Sequence, residues 1–210
     1  MDNQSKENIR LQNYITYLNY INDKLKKFFE RQQDYIFCKE GCAKCCKNAH
    51  FPYSKIEVQY LIEGFNKLPF ELKEKIKSNI KKTLLDKKQS NDKNFKYTCP
   101  FLINDKCSVY DYRGIICRTF GLMSINKKGP VKVPFCCYEG LNYSNVLDEK
   151  ENKVSEEKYK QLGFKEEPLA FNVSYDFLTN PDFEKGFNFL FGDKKALIDW
   201  FMETNDSINL

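Results

Sequence analysis

Nine cysteines lie between positions 38 and 137, while the whole 210-residue chain holds a single histidine, His50. Many thiols with one imidazole exclude sites built on several imidazoles, such as a two-histidine iron triad or a three-histidine zinc site. Any metal must be held mainly by sulfur. Nine in 210 is about 4%, below the roughly 8% of a disulfide-built miniprotein. The odd count leaves at least one cysteine outside any complete pairing. The opening Met-Asp-Asn-Gln-Ser-Lys-Glu-Asn-Ile-Arg has neither the apolar core nor the small-residue cleavage site of a secretory signal, so no export is expected. The apolar stretches are broken by Asp176, Lys185 and Asp193 before they reach the roughly 18 to 20 residues of a membrane helix. The expectation is a soluble, cytoplasmic protein with no membrane partner. In a reducing cytoplasm a cysteine-rich chain reads as metal-binding or redox-active before it reads as disulfide-bonded.

With 41% hydrophobic and 30% charged residues the composition suits a globular domain and excludes a disordered tail, a collagen or a repeat array. The net charge of +5 is a weak field. Its densest basic stretch, Lys73 to Lys88, is interleaved with Leu72, Ile76, Ile80 and Leu84. That four-residue spacing puts the lysines on the outer face of an amphipathic helix. No aromatic or glycine-rich recognition pattern accompanies them, so nucleic acid is not expected as a partner.

The apolar residues Leu11, Ile15, Leu18, Ile21, Leu25, Phe28 and Phe29 step by three and four, predicting a long helix over 11–37. A four-cysteine loop follows, and Ser54-Lys55-Ile56-Glu57 has the spacing of a capping box that opens a second helix. Pro69 then opens a third. Cys99 to Tyr110 holds two short apolar runs around Asn104-Asp105 and reads as a hairpin that brings Cys99 and Cys107 together. A helical turn carrying Cys117 is expected within 111–120, and an extended piece ending at Cys136-Cys137. Beyond Gly140 come a polar linker, a helix through Tyr159, an aromatic stretch from Phe171 to Phe191, read as packing, and a final helix over 193–202.

Cys42-x2-Cys45 is a metal-ligand spacing, since two intervening residues let both sulfurs reach one ion. Successive side chains point apart, so Cys46 is a candidate for a second ion or another iron of a cluster. With Cys38, Cys99, Cys107, Cys117 and one of Cys136 and Cys137, the chain offers eight thiols and a spare, enough for two four-sulfur centres. We expect the metal set Cys38, Cys42, Cys45, Cys46, Cys99, Cys107, Cys117 and Cys137. Spacing does not choose between zinc and iron, which both accept tetrahedral sulfur. His50, beside Phe51 and Pro52, reads as structural.

Cys38-x3-Cys42-x2-Cys45-Cys46, Cys99-Pro100-Phe101-Leu102 and Cys107-Ser108-Val109-Tyr110-x2-Arg113-x3-Cys117-Arg118-x-Phe120-Gly121 together resemble the YkgJ-type cysteine-cluster family, described as zinc- or iron-chelating or iron–sulfur proteins. The resemblance covers about half the chain and implies a cysteine-ligated centre, an iron–sulfur cluster ahead of zinc. The family usually has proline after the arginine that Arg113 matches, where this chain has Gly114. In its cysteine box the family also resembles a flagellin lysine methylase, which offers an enzyme acting on a protein substrate as one alternative. A zinc-stabilised interaction module is another. Cys38-x3-Cys42-x2-Cys45 has the spacing of a radical-enzyme loop, but the chain has neither the strands nor the room for the barrel that carries it. Arg113 and Arg118 flank Cys117 and are candidates to offset the negative charge of thiolates or of a cluster.

The expected fold is mainly α with a small β-hairpin: an N-terminal helix over 1–37, a cysteine-rich metal-binding domain over 38–140, and a helical and aromatic extension over 141–210 packed on it.

Overall fold

The structure, a computed structural model, describes residues 3–92, 94–125 and 129–203. It is mainly α with small β elements. Helix α1 spans Asn3–Arg31 and buries Tyr14, Tyr17, Leu18, Ile21 and Leu25 along one stripe. It starts earlier and stops sooner than the apolar stepping predicts. The buried Gln32 takes the Leu169 N–H on its Oε1 at 2.7 Å, and the chain turns through a short 3-10 helix over Gln33–Tyr35.

A four-residue helix, α2, covers Lys44–Lys47. Strand β1, Pro52–Ser54, leads into α3, Lys55–Asn66, which opens with the expected Ser54–Glu57 capping box. Helix α4, Phe70–Gln89, starts directly after Pro69. The predicted hairpin is present as β2, Leu102–Ile103, and β3, Lys106–Cys107, antiparallel. Its turn residues Asn104 and Asp105 have φ of 51° and 58°, the left-handed pair of a two-residue hairpin turn. Helix α5 runs Ile115–Thr119 and carries Cys117.

Two expectations need correction. Cys136 and Cys137 lie in a 3-10 helix, Phe135–Glu139, ended by Gly140 at φ 71°, and not in an extended piece. The last helix does not begin at Asp193. After β4 (Leu147–Asp148), β5 (Lys153–Val154), α6 (Glu156–Gln161), α7 (Tyr175–Leu178) and α8 (Pro181–Phe187), residues Lys194–Ala196 form β6, and α9 starts only at Leu197. Strand β6 pairs antiparallel with β1, Tyr53 opposite Lys195. That pairing satisfies backbone groups a longer helix would have claimed: Lys55 N–H donates to Asp193 O and Leu197 N–H to Phe51 O.

Three apolar clusters result. One joins α3, α4 and the hairpin to Leu197, Ile198, Trp200 and Phe201 of α9. A second packs α1 against Phe171, Val173, Phe189 and Phe191. The third, around Tyr35, Met123, Cys137 and Tyr143, closes the other end. The segments before 38, between 38 and 140 and after 140 therefore share cores. Among the described residues no helix is long and apolar enough to cross a membrane.

Candidate metal centre

Four stretches of chain bring thiols to one basin. The first is the loop after Tyr35. Phe37 and Cys38 both donate their N–H to Asn142 Oδ1, at 3.0 and 2.8 Å, and Asn142 Nδ2 donates to Gly121 O at 2.9 Å. Asn142 is fully buried and clamps the Cys38 strand to the end of α5. Gly121 has φ 102°, and a Cβ there would lie 2.7 Å from Asn142 Nδ2, so this position requires glycine twice over. Gly41, at φ 85°, lets the loop double back, with Cys42 N–H donating to Lys39 O at 3.0 Å.

Helix α2 then sits between two other thiol carriers. Lys44 pairs with Glu139 at 2.8 Å on the side of the 135–139 turn, and Lys47 pairs with Asp105 at 2.7 Å on the side of the hairpin. These exposed pairs contribute little energy, but they mark where α2 lies. Cys45 and Cys46 place their sulfurs 3.9 Å apart. Cys99 N–H donates to Cys46 O at 2.8 Å, which docks the hairpin strand on α2. The hairpin adds Cys107 and α5 adds Cys117, whose Sγ lies 3.3 Å from Tyr53 Oη.

The electrostatics describe the same gathering. The contact with Cys46 draws the Cys45 thiol down from 9.0 to about 7, and the same contact pushes Cys46 far up. A charge on Cys45 raises the thiols of Cys38, Cys46, Cys99, Cys107, Cys117 and Cys136. Burial is the largest cause for Cys38, pushed up to about 11, and for Cys117 and Cys136, each pushed up to about 12. Cys42 acts on Cys38. Counted with Cys45 and Cys42, these six make eight thiols in one linked group, and none of the nine cysteines is in a disulfide.

Cys137 is not one of the eight. It is 2% exposed inside the third apolar cluster, its thiol is raised to about 11 by burial and by Glu149, and the one sulfur it acts on is its neighbour Cys136. Its neighbour Cys136 feels Cys38 and Cys45. The short helix over 135–139 turns the vicinal pair in two directions, so the structure places Cys136 at the basin where the expected set has Cys137.

The two arginines also separate. Arg118 donates Nε to Arg113 O, one terminal nitrogen to Asn22 Oδ1 and the other to Asp111 O, at 2.9, 3.0 and 2.6 Å. It is a staple between α1 and the 111–113 backbone. Arg113 lies over the Tyr110 ring at 3.5 Å and lowers the Cys107 and Cys117 thiols. Its Nε is buried and has no partner among the described residues. His50 shares a 3.1 Å hydrogen bond with Phe95 O, as a structural histidine would.

The sequence reading missed Tyr53 and Asn142 as organisers of the basin, and it saw Glu57 only as a helix cap. The Glu57 carboxylate is fully buried and accepts from Ser54 N–H and hydroxyl, Ile115 N–H and the Tyr175 phenol, at 2.5 to 2.8 Å. It therefore ties the start of α3 to the start of α5. The two glycines inside the cysteine box, Gly114 and Gly121, are the one signal that a close approach is needed there.

Soft thiol donors suit zinc or iron, and Arg113 Nε is a buried N–H with nothing to donate to, beside two of them. The donor chemistry fits a sulfur-held metal. As they stand, among the described residues, no three His, Cys, Asp or Glu side chains form a group that would hold one ion. Compared with family models, curated proteins and solved structures, the chain matches none.

Proposed function

We propose that this protein is a cysteine-ligated metal-centre protein and that the centre is an iron–sulfur cluster. The observation that supports it is the gathering of eight reduced thiols, Cys45 and seven others, while the ninth is packed in an apolar core. Thiols with raised pKa hold their protons, and a bound cation would replace those protons and share the charge of the sulfurs it ionises. The residues from which four would hold such a cluster, or eight a pair of four-sulfur centres, are Cys38, Cys42, Cys45, Cys46, Cys99, Cys107, Cys117 and Cys136. Such a cluster supplies one-electron chemistry at a potential set by charge, hydrogen bonds and exposure. Arg113 brings the nearby positive charge, the Asn142 clamp fixes the Cys38 strand, and α2 presents two adjacent sulfurs.

A second reading is favoured by one distance. Two sulfurs on one tetrahedral zinc, each at about 2.3 Å, lie roughly 3.8 Å apart, and Cys45 and Cys46 are 3.9 Å apart. That would make the basin a zinc staple in an interaction module. Anaerobic loading with iron and sulfide, compared with loading by zinc alone, separates the two. A coloured protein with iron and sulfide is expected, its iron lost in Cys45→Ser and Cys136→Ser and kept in Cys137→Ser. A colourless protein that takes only zinc overturns the iron–sulfur reading, and a chain that takes neither overturns the metal reading.

A further inference from the structure

We infer that Tyr53 is a positioning residue for the sulfur centre, holding the Cys117 sulfur through a phenol hydrogen bond that Gly114 orients; this rests on the metal-centre reading above. Tyr53 is 2% exposed, and its oxygen has two neighbours. Gly114 N–H donates to it at 3.0 Å, and Cys117 Sγ lies 3.3 Å away. A Cys117 sulfur bound to metal as thiolate has no proton to give, so in that state the phenol O–H is the donor and the sulfur the acceptor.

Gly114 is what allows this arrangement. A Cβ there would stand 2.7 Å from both Tyr53 Cε1 and Cζ and 2.9 Å from Glu57 Oε1, so any larger residue would push the ring off the sulfur. Proline fails a second time, since it has no N–H to donate. The other end of Tyr53 is equally fixed. Its backbone pairs with Lys195 in β6, and its carbonyl accepts the Trp200 indole N–H at 2.9 Å. The ring is therefore held from strand, helix and glycine, with one polar atom directed at one thiol. Hydrogen bonds of this kind orient a ligand, and their loss typically costs metal affinity on the order of tenfold or more.

The test uses cobalt(II) as probe on the full chain under anaerobic conditions, read by the thiolate-to-cobalt absorption band and by affinity. Tyr53→Phe should bind about tenfold more weakly with a displaced band. Tyr175→Phe, which removes a buried phenol from the Glu57 network without facing a sulfur, should leave both unchanged. In a Cys117→Ser background Tyr53→Phe should add nothing, because the pair acts as one unit. Wild-type affinity and band in Tyr53→Phe, an equal loss in Tyr175→Phe, or an undiminished effect without Cys117 would each overturn the inference. A Tyr53→Phe chain that loses its metal-free circular dichroism also counts against it, since the phenol would then hold the fold and not the sulfur. A wild type that takes up no cobalt removes the metal-centre reading, and this inference with it.

Discussion

The aromatic seam and the thiol basin lie on two faces of the same α3–α5 junction, and they are held together differently. In the seam, Tyr17 of α1 meets Phe183, Phe187 and Phe189 with ring centres 5.0, 5.1 and 5.5 Å apart, and Phe189 meets Phe191 at 4.8 Å. These are large rings held mainly by burial, helped by the Tyr17 hydroxyl donating to Leu178 O and by Phe191 N–H donating to Glu184 Oε1 at 2.7 Å. The basin is built from a four-residue helix, two-residue strands and a five-residue helix, fastened by single backbone hydrogen bonds, the Asn142 clamp and exposed ion pairs that include Lys106–Glu40 at 2.8 Å. Elements that short have little cohesion of their own. The seam rests on the burial of its own rings, whereas the basin rests on a few polar contacts between short elements.

Loading metal should widen this contrast most. A structural zinc contributes of order 10 kcal/mol to folding, so limited proteolysis should cut the metal-free chain within 38–48 and near the 104–105 turn, and zinc should protect both. Equal cutting with and without zinc would remove the distinction between the regions. Phe191→Ala should cost about 3 to 5 kcal/mol in chemical denaturation, by a similar amount with or without metal. A strong dependence on loading would mean that the seam and the basin do not fold independently. The smallest effect concerns pH in the metal-free protein. The folded values of Cys136 and Cys137 are raised to about 12 and about 11 from 9.0, so their contribution is present below pH 9 and lost as pH rises towards the folded values. From pH 8 to 10 each should remove about 1 kcal/mol. A urea midpoint that stays level over that range would contradict the burial of these two thiols.

Local signals in the sequence were legible where local chemistry decides. The Ser54–Glu57 cap, Pro69 before α4 and the Asn104–Asp105 turn are all where spacing and turn propensity put them. The thiols that gather in the basin were largely legible, because seven of the nine fall in the two spaced boxes of 38–46 and 99–117. Which of Cys136 and Cys137 joins them was not, since the direction of a vicinal pair depends on the local turn, and a 3-10 helix and an extended strand turn it differently. The role of Arg118 was hidden for a related reason: its partners Asn22 and Asp111 O are supplied by packing, and no spacing rule announces them. Strand β6 was read as helix because its only reason to be extended, β1, lies far away in sequence.

That last pairing has a consequence for the order in which the molecule is made. Synthesis delivers the thiols of 38–137 well before Lys194–Ala196 and Trp200, yet Tyr53 is fixed by exactly those later residues through the strand register and the indole N–H. Chains emerge at about 5 to 20 residues per second, so for several seconds a nascent chain carries all nine thiols with the ring beside Cys117 not yet anchored. Under the metal-centre reading, the Tyr53 phenol would be in place for the Cys117 sulfur only after residues 194–201 have closed over β1.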